Sequence, residues 1–248
     1  MPERVRLLGL DFADLDVTQA AARIAARPAE APFGYVVTPN ADHLVRLARQ
    51  PALLPLYQGA ALCLLDSRVV RRAARALVLP VPRVATGSDL AARLLRRHVL
   101  PGERVTIVGL DRRHLPSLIA ACDIAPPAHY DPPMGFDRDP AELRRAVDFV
   151  VAHPARFVFL AVGSPRQERL AAAIAATRRA TGTGLCIGAG LDFLAGSAQR
   201  APVWLQRSGL EWLHRLAADP GRLGRRYLID NPPVLALLLR ERLGLSRG

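Results

Sequence analysis

Lysine is absent from the 248-residue sequence, so all 34 basic residues are arginine, set against 22 acidic ones for a formal net charge of +12. An all-arginine basic set beside abundant alanine reads partly as codon usage, which removes most of the weight of a pI of 11.2 as a sign of a polyanionic partner. Long apolar runs are missing too. The longest, such as residues 234–239, fall far short of the roughly 18 residues that a membrane-spanning helix needs. The N-terminus, MPERVRLLGLDF, turns acidic at Asp11 and offers neither a long apolar stretch nor a small-residue cleavage site, so no secretory signal is expected. Cysteine is sparse: Cys63, Cys122 and Cys186 have no zinc or redox spacing, and Cys63 and Cys186 sit in apolar runs. Such a set reads as reduced, buried thiols in a cytosolic protein. Aromatic residues make up only 5% of the chain, and the six histidines show no ligand spacing. With no Asp-x-Asp pair after a strand, no Gly-x-Ser-x-Gly elbow and no Gly-Lys-Ser/Thr loop, the sequence argues against a metal site, a nucleophilic hydrolase and a Walker ATPase.

What is present is globular: 50% hydrophobic and 23% charged residues, in a chain long enough to bury a sizeable core. Short apolar runs at residues 34–38 (GYVVT), 61–65 (ALCLL), 104–109 (RVTIVG), 157–163 (FVFLAVG) and 185–188 (LCIG) alternate with amphipathic Ala/Leu/Arg stretches at 41–49, 68–77, 90–98, 141–153 and 167–180. Continuous apolar strands alternating with helices predict a doubly wound α/β fold, Rossmann-like, with a mostly parallel sheet covered on both faces. We expect this domain over residues 1–200. Beyond it the texture changes. Residues 200–248 carry both tryptophans, Trp204 and Trp212, and nine arginines against Glu211, Asp219, Asp230 and Glu241. Without a clear strand, residues 201–248 are expected to form an Arg-rich helical appendage.

In open α/β sheets, ligands bind beyond the carboxyl ends of the strands. Here those ends are followed by Thr38-Pro39-Asn40, Asp66-Ser67, Gly109-Leu110-Asp111, Gly163-Ser164-Pro165-Arg166-Gln167-Glu168 and Gly188-Ala189-Gly190-Leu191-Asp192. Asp66 is placed to take a proton from a substrate hydroxyl, or else it or Ser67 caps the following helix. Thr38 and Asn40 can bond a sugar or nucleotide, although Asn40 is equally an N-cap for the helix from residue 41. In AVGSPRQE, Gly163 lets backbone approach a ligand and Gln167 offers a donor and an acceptor near a helix N-terminus, where backbone N–H groups favour phosphate. GAGLDFLAG has the wrong glycine spacing for a dinucleotide fingerprint.

Taken together, TPNADHLVRLA, LLDSRVVRRA, RVATGSDL, VGSPRQE, GAGLDFLAGSAQRAP and GLEWLHRLAADPGRLGRRYLIDNP occur in one order across residues 34–233. This series resembles the WecG/TagA/CpsF glycosyltransferase family. The resemblance implies an inverting, metal-independent enzyme without cofactor. It would move a sugar from a UDP donor to the 4-hydroxyl of a sugar on a polyprenyl diphosphate, peripherally at the cytoplasmic membrane face. Carried over by position, Asp66 is the general base, Thr38, Asn40 and Gln167 line the sugar pocket, and Gly163 and Asp192 lie near the nucleotide. Arg222, Arg225 and Arg226 face a diphosphate. Three departures stand out. The family's Pro-Asp-Gly around the base is here Leu65-Asp66-Ser67, and its Arg-Val-x-Gly-x-Asp-Leu is one residue longer from Arg83 to Leu90, which leaves the role of Arg83 open. The aromatic after a mid-chain glycine is Phe136, which has no hydroxyl.

Two rival classes compete with the transferase. A nucleic-acid-binding module would use the positive charge, but the arginines are spread over most helices and no helix-turn-helix or zinc-finger spacing occurs, so no nucleic-acid partner is expected. A Rossmann oxidoreductase predicts NAD(P) binding. The expected partners are the UDP-sugar donor, the lipid-linked acceptor and an anionic membrane surface, with homo-oligomerisation left open.

Overall fold

The computed structural model describes residues 4–196 and 232–245, with the isolated residues 202, 205 and 221. Six strands, β3 (Gly34–Val37), β4 (Leu62–Cys63), β5 (Thr106–Gly109), β6 (Ala128–Tyr130), β7 (Phe157–Ala161) and β8 (Thr183–Cys186), form one sheet of order β4-β3-β8-β7-β5-β6. Every neighbouring pair in it is parallel. A separate hairpin, β1 (Arg4–Leu7) and β2 (Leu10–Ala13), precedes it and turns through Leu8 and Gly9, both at positive φ.

The period of two along a strand sorts its side chains onto opposite faces, and both faces here are apolar. Tyr35, Val37, Val158, Leu160 and Cys186 enter one core cluster, whereas Val36, Phe157, Phe159 and Leu185 enter the other. The first cluster is covered by α2 (Ala41–Arg49), α3 (Leu54–Gln58), α4 (Arg68–Ala76), α7 (Pro140–Ala152) and α8 (Arg166–Thr177). Over the second lie α1 (Val17–Ala25), α5 (Gly87–Arg97), α6 (Leu115–Cys122) and α9 (Gly190–Leu194). The fold is therefore the doubly wound α/β architecture expected. The last described helix, α10 (Pro233–Arg242), buries Val234 and Leu238 in the first cluster, against α2 and α4.

Helix starts follow local chemistry. Asp16, Asn40, Ser67, Thr86 and Asp139 each accept backbone N–H groups from the first turn of the helix that follows. The strand boundaries differ from the expected ones for physical reasons. β8 starts at Thr183, before the apolar run, because Gly184 leaves room for the Phe33 ring; a Cβ there would stand 2.5 Å from Phe33 Cζ. β4 pairs over only two residues at the sheet edge, after which Leu65 bridges to Val84.

This winding locates a crevice. The helices that leave β3 and β7, α2 and α8, turn to one face, while α9, which leaves the intervening β8, turns to the other. The carboxyl end of β8 is therefore left open between diverging connections, the place where ligands enter such sheets.

Candidate active site

Thr38 follows β3 and is buried, its hydroxyl donating to the carbonyl of Cys186 on β8 at 3.1 Å. Two residues on, Asn40 Oδ1 accepts from the N–H groups of Asp42 and His43 at 3.1 and 3.4 Å, so the cap reading of its carboxamide oxygen is realised.

Asp66 follows β4. Its N–H donates to the Pro39 carbonyl at 3.0 Å, which ties the β4 loop to the β3 loop, and its Oδ2 accepts from the Gly87 N–H at 3.0 Å. Gly87 opens α5, so the carboxylate sits at the positive end of a helix that it does not itself cap. Ser67 takes the capping role for α4, accepting from Val70 N–H at 3.1 Å. Gly87 is also why these groups can approach: a Cβ there would meet Thr38 Oγ1 at 2.9 Å. Thr38, Asp66 and the α5 N-terminus are thus one contiguous cluster.

On the other side of β8, Gly163 leaves β7 at a φ of +76° and its carbonyl accepts the Gln167 N–H at 3.0 Å. Gln167 is only 2% exposed; its Oε1 accepts the Gly188 N–H at 2.8 Å and its Nε2 donates to Glu168 Oε1 at 2.9 Å. The carboxamide therefore spans the gap from α8 to the β8–α9 turn. Asp192, half-buried in the first turn of α9, lies beyond that turn.

Behind these residues Tyr35, Tyr57, Glu168 and Cys186 are buried. Burial pushes the Tyr35 hydroxyl up to about 12 and the Cys186 thiol well above its ordinary value, and it raises the pKa of Glu168 and Tyr57 as well. Such thiols are inert packing groups. The Tyr57 hydroxyl stands 3.2 Å from Ser164 Oγ, which also accepts from Arg46 Nη1 at 2.9 Å. Among the described residues, no group of three or more His, Cys, Asp or Glu side chains is gathered to hold a metal ion.

Of the residues singled out by sequence, Thr38, Asn40, Asp66, Gly163, Gln167 and Asp192 all gather around the ends of β3, β4, β7 and β8. Arg222, Arg225 and Arg226 lie outside the described residues, as do Trp204 and Trp212. Arg83 turns toward α1, with Nη1 on Gln19 Oε1 at 2.9 Å and ion-pair contacts to Asp14 and Asp16. Phe136 is a core residue at 2% exposure. Sequence reasoning missed Gly87 and Glu168. A first-turn glutamate ordinarily signals an exposed charge beside a helix N-terminus, and nothing in its neighbours shows that this one is buried.

A family model described as "Glycosyl transferase WecG/TagA/CpsF family" matches residues 5–248. The match takes in nearly the whole chain, including every strand end that carries the cluster around Asp66 and Gln167, and the chain belongs to the WecG/TagA/CpsF family of glycosyltransferases.

Proposed function

We propose that the protein is an inverting, metal-independent transferase using a UDP-sugar as donor and the 4-hydroxyl of a polyprenyl-diphosphate-linked sugar as acceptor, in cell-surface or exopolysaccharide synthesis. The donated sugar is N-acetylmannosamine, its uronic acid or glucose. Asp66 carries the reading: a carboxylate at a strand end, oriented by the Gly87 N–H and beside Thr38, in the crevice where the sheet receives ligands. In this scheme Asp66 removes the proton from the acceptor hydroxyl as its oxygen attacks the anomeric carbon from the face opposite UDP. The C–O bond to UDP breaks, and the diphosphate leaves with its electron pair. Thr38, Asn40 and the Gln167 side bound the sugar, while Gly163 and Asp192 flank the nucleotide. The leaving diphosphate needs positive partners, and Arg222, Arg225 and Arg226 of the appendage, residues 201–248, are assigned that task because guanidinium pairs bidentately with phosphate.

The lipid-linked acceptor stays in the bilayer, so the enzyme must work at the membrane surface. No helix among the described residues is long and apolar enough to cross a membrane. α10 supports a peripheral arrangement: Leu235, Leu239 and Leu243, spaced by four, are 51%, 48% and 61% exposed and are interleaved with Arg240 and Arg242. The nucleic-acid and oxidoreductase readings give way to the transferase that the family supports.

The deciding experiment is a screen of UDP-sugars against short-chain diphosphate-linked GlcNAc and glucose acceptors, with and without EDTA. Turnover with inversion at the anomeric carbon, undiminished by chelator, is expected. A strict requirement for Mg²⁺ or Mn²⁺ overturns the arginine assignment, and retention of NAD instead of UDP on dialysis overturns the transferase reading.

A further inference from the structure

Glu168 is a carboxyl group in the wrong place for a charge. It is 0% exposed, its Oε1 accepts from Gln167 Nε2 at 2.9 Å, and its Oε2 has no hydrogen-bond partner. The groups facing it are Tyr35 from β3, Arg46 from α2, Tyr57 from α3, Ser164 before α8 and Cys186 from β8. The one cation among them, Arg46, directs its guanidinium to Asp42 at 2.6 Å and to Ser164 at 2.9 Å. A carboxylate buried without an ion pair is far more costly than the neutral acid, and burial accordingly raises the pKa of this group.

The neighbouring carboxamide has two distinguishable ends. The Gly188 N–H can only donate, so it requires the Gln167 oxygen; the Glu168 oxygen facing Gln167 accepts, so it requires the nitrogen. Each contact enforces the other. Gly188 itself, at a φ of +56°, opens the turn from β8 into α9, and Gly190 of that turn packs against the α5 N-terminus, where a Cβ would meet Ser88 Cα at 3.3 Å. A group that fixes Gly188 therefore fixes the turn that leads to Asp192.

We propose that Glu168 is a positioning residue: its buried carboxyl oxygen clamps the Gln167 carboxamide, which pins the Gly188 N–H and sets the β8–α9 turn for the nucleotide of the donor. The clamp stands on the geometry of this chain, and its consequence for the nucleotide rests on the donor reading above. Glu168 touches no reacting atom. A neutral amide at position 168 retains an oxygen toward Gln167, whereas a truncated side chain leaves the carboxamide free to rotate.

The test uses the full-length protein and two readouts, amide hydrogen exchange of the segment that spans Gly188 and equilibrium dialysis against UDP. Glu168→Gln should stay within about twofold of the parent in both readouts, because the amide keeps an oxygen to accept from Gln167 Nε2. Glu168→Ala and Gln167→Ala should each speed exchange at Gly188 and weaken UDP retention by about tenfold, with the double variant no worse than either single one, as members of one chain of contacts behave. Should Glu168→Ala not fold, Glu168→Gln and Gln167→Ala still decide: folded Glu168→Gln that exchanges as fast as Gln167→Ala overturns the clamp. Parental exchange at Gly188 in folded Glu168→Ala, or additive losses in the double variant, overturns it equally. Parental UDP retention in a folded Glu168→Ala with loosened Gly188 overturns the role toward the nucleotide. Parent protein that retains no UDP, with Gly188 protection still dependent on Glu168, supports the clamp and overturns the donor reading alone.

Discussion

Asp66 and Ser67 are adjacent, and either one suits a helix N-cap by composition. The backbone separates their roles: Ser67 is extended at a φ of −156° and caps α4, while Asp66 reaches across to Gly87 at the start of α5. An extended φ at position 67 imposes no need for glycine there. Two substitutions should separate the roles. Asp66→Asn is expected to fold and retain UDP but to lose transfer by about 10²-fold or more, the scale of general-base catalysis. Unchanged turnover removes Asp66 from the mechanism. Ser67→Ala is expected to lower stability by about 1 kcal/mol, seen as a shifted urea midpoint, with activity per folded molecule preserved. A loss of turnover larger than the loss of folded protein would show that the hydroxyl belongs to the chemistry.

At the scale of elements, α5 is the part on which the site depends most directly, since its first residue holds Asp66 and touches Thr38. Gly87→Ala forces a Cβ to within 2.9 Å of Thr38 Oγ1, so either the hydroxyl or the helix start must move. We expect an overpacking cost of about 1–3 kcal/mol in thermal or urea unfolding. Turnover should fall further than stability does, because the shift is transmitted to the carboxylate; equal losses would mean that the contact is packing alone. Much of this arrangement was legible in the sequence because a parallel sheet dictates it. Apolar runs buried on both faces marked β3, β4, β5, β7 and β8, and the residues after them had to converge. What stayed hidden has local causes. β6 lies between prolines in PPAHYDPP, and Gly184 resembles punctuation although it sits inside β8 beneath Phe33. The Gln167–Glu168 clamp closes on Gly188, which is 21 positions from Gln167, and no pattern in the intervening chain announces that contact.

At the scale of the whole molecule, the two ends of the sheet have different duties. At the foot of β7, Arg156 is paired through two nitrogens with Glu103, each at 2.8 Å, donates to carbonyls of Ala25 and His98, and lies over the Phe157 ring at 4.5 Å from its centroid. It thereby joins α1, α5 and the approach to β5, remote from the site. Burial alone would raise the Glu103 pKa, but the Arg156 hydrogen bonds, the Leu100 N–H and the Arg156 charge together outweigh it and the group is lowered. A carboxylate with a depressed folded pKa contributes stability above its unfolded pKa and loses it as pH falls through the folded value. Glu103→Gln should therefore destabilise the protein at neutral pH, and the difference from the parent should shrink as pH drops below about 4. A pH-independent difference would assign the effect to packing. Under the proposed function the opposite duty is access to a lipid-linked acceptor, and here α10 is informative because its two sides differ. Val234 and Leu238 are built into the main core, so cutting the chain after residue 200 would remove core as well as surface and could not isolate docking. Leu239 and Leu243 lie on the outward side, where substitution spares the core. Insertion of such leucines is favoured by about 25 cal/mol per Å² of apolar surface buried, and arginines near anionic lipid add about 1 kcal/mol each. The double variant Leu239→Glu, Leu243→Glu replaces attraction with repulsion at that face. It is expected to lose co-sedimentation with phosphatidylglycerol vesicles while retaining UDP and transferring normally to a soluble acceptor analogue. Sedimentation equal to that of the parent would remove α10 from the docking surface, and loss of transfer to the soluble analogue would show instead that this helix supports the active site.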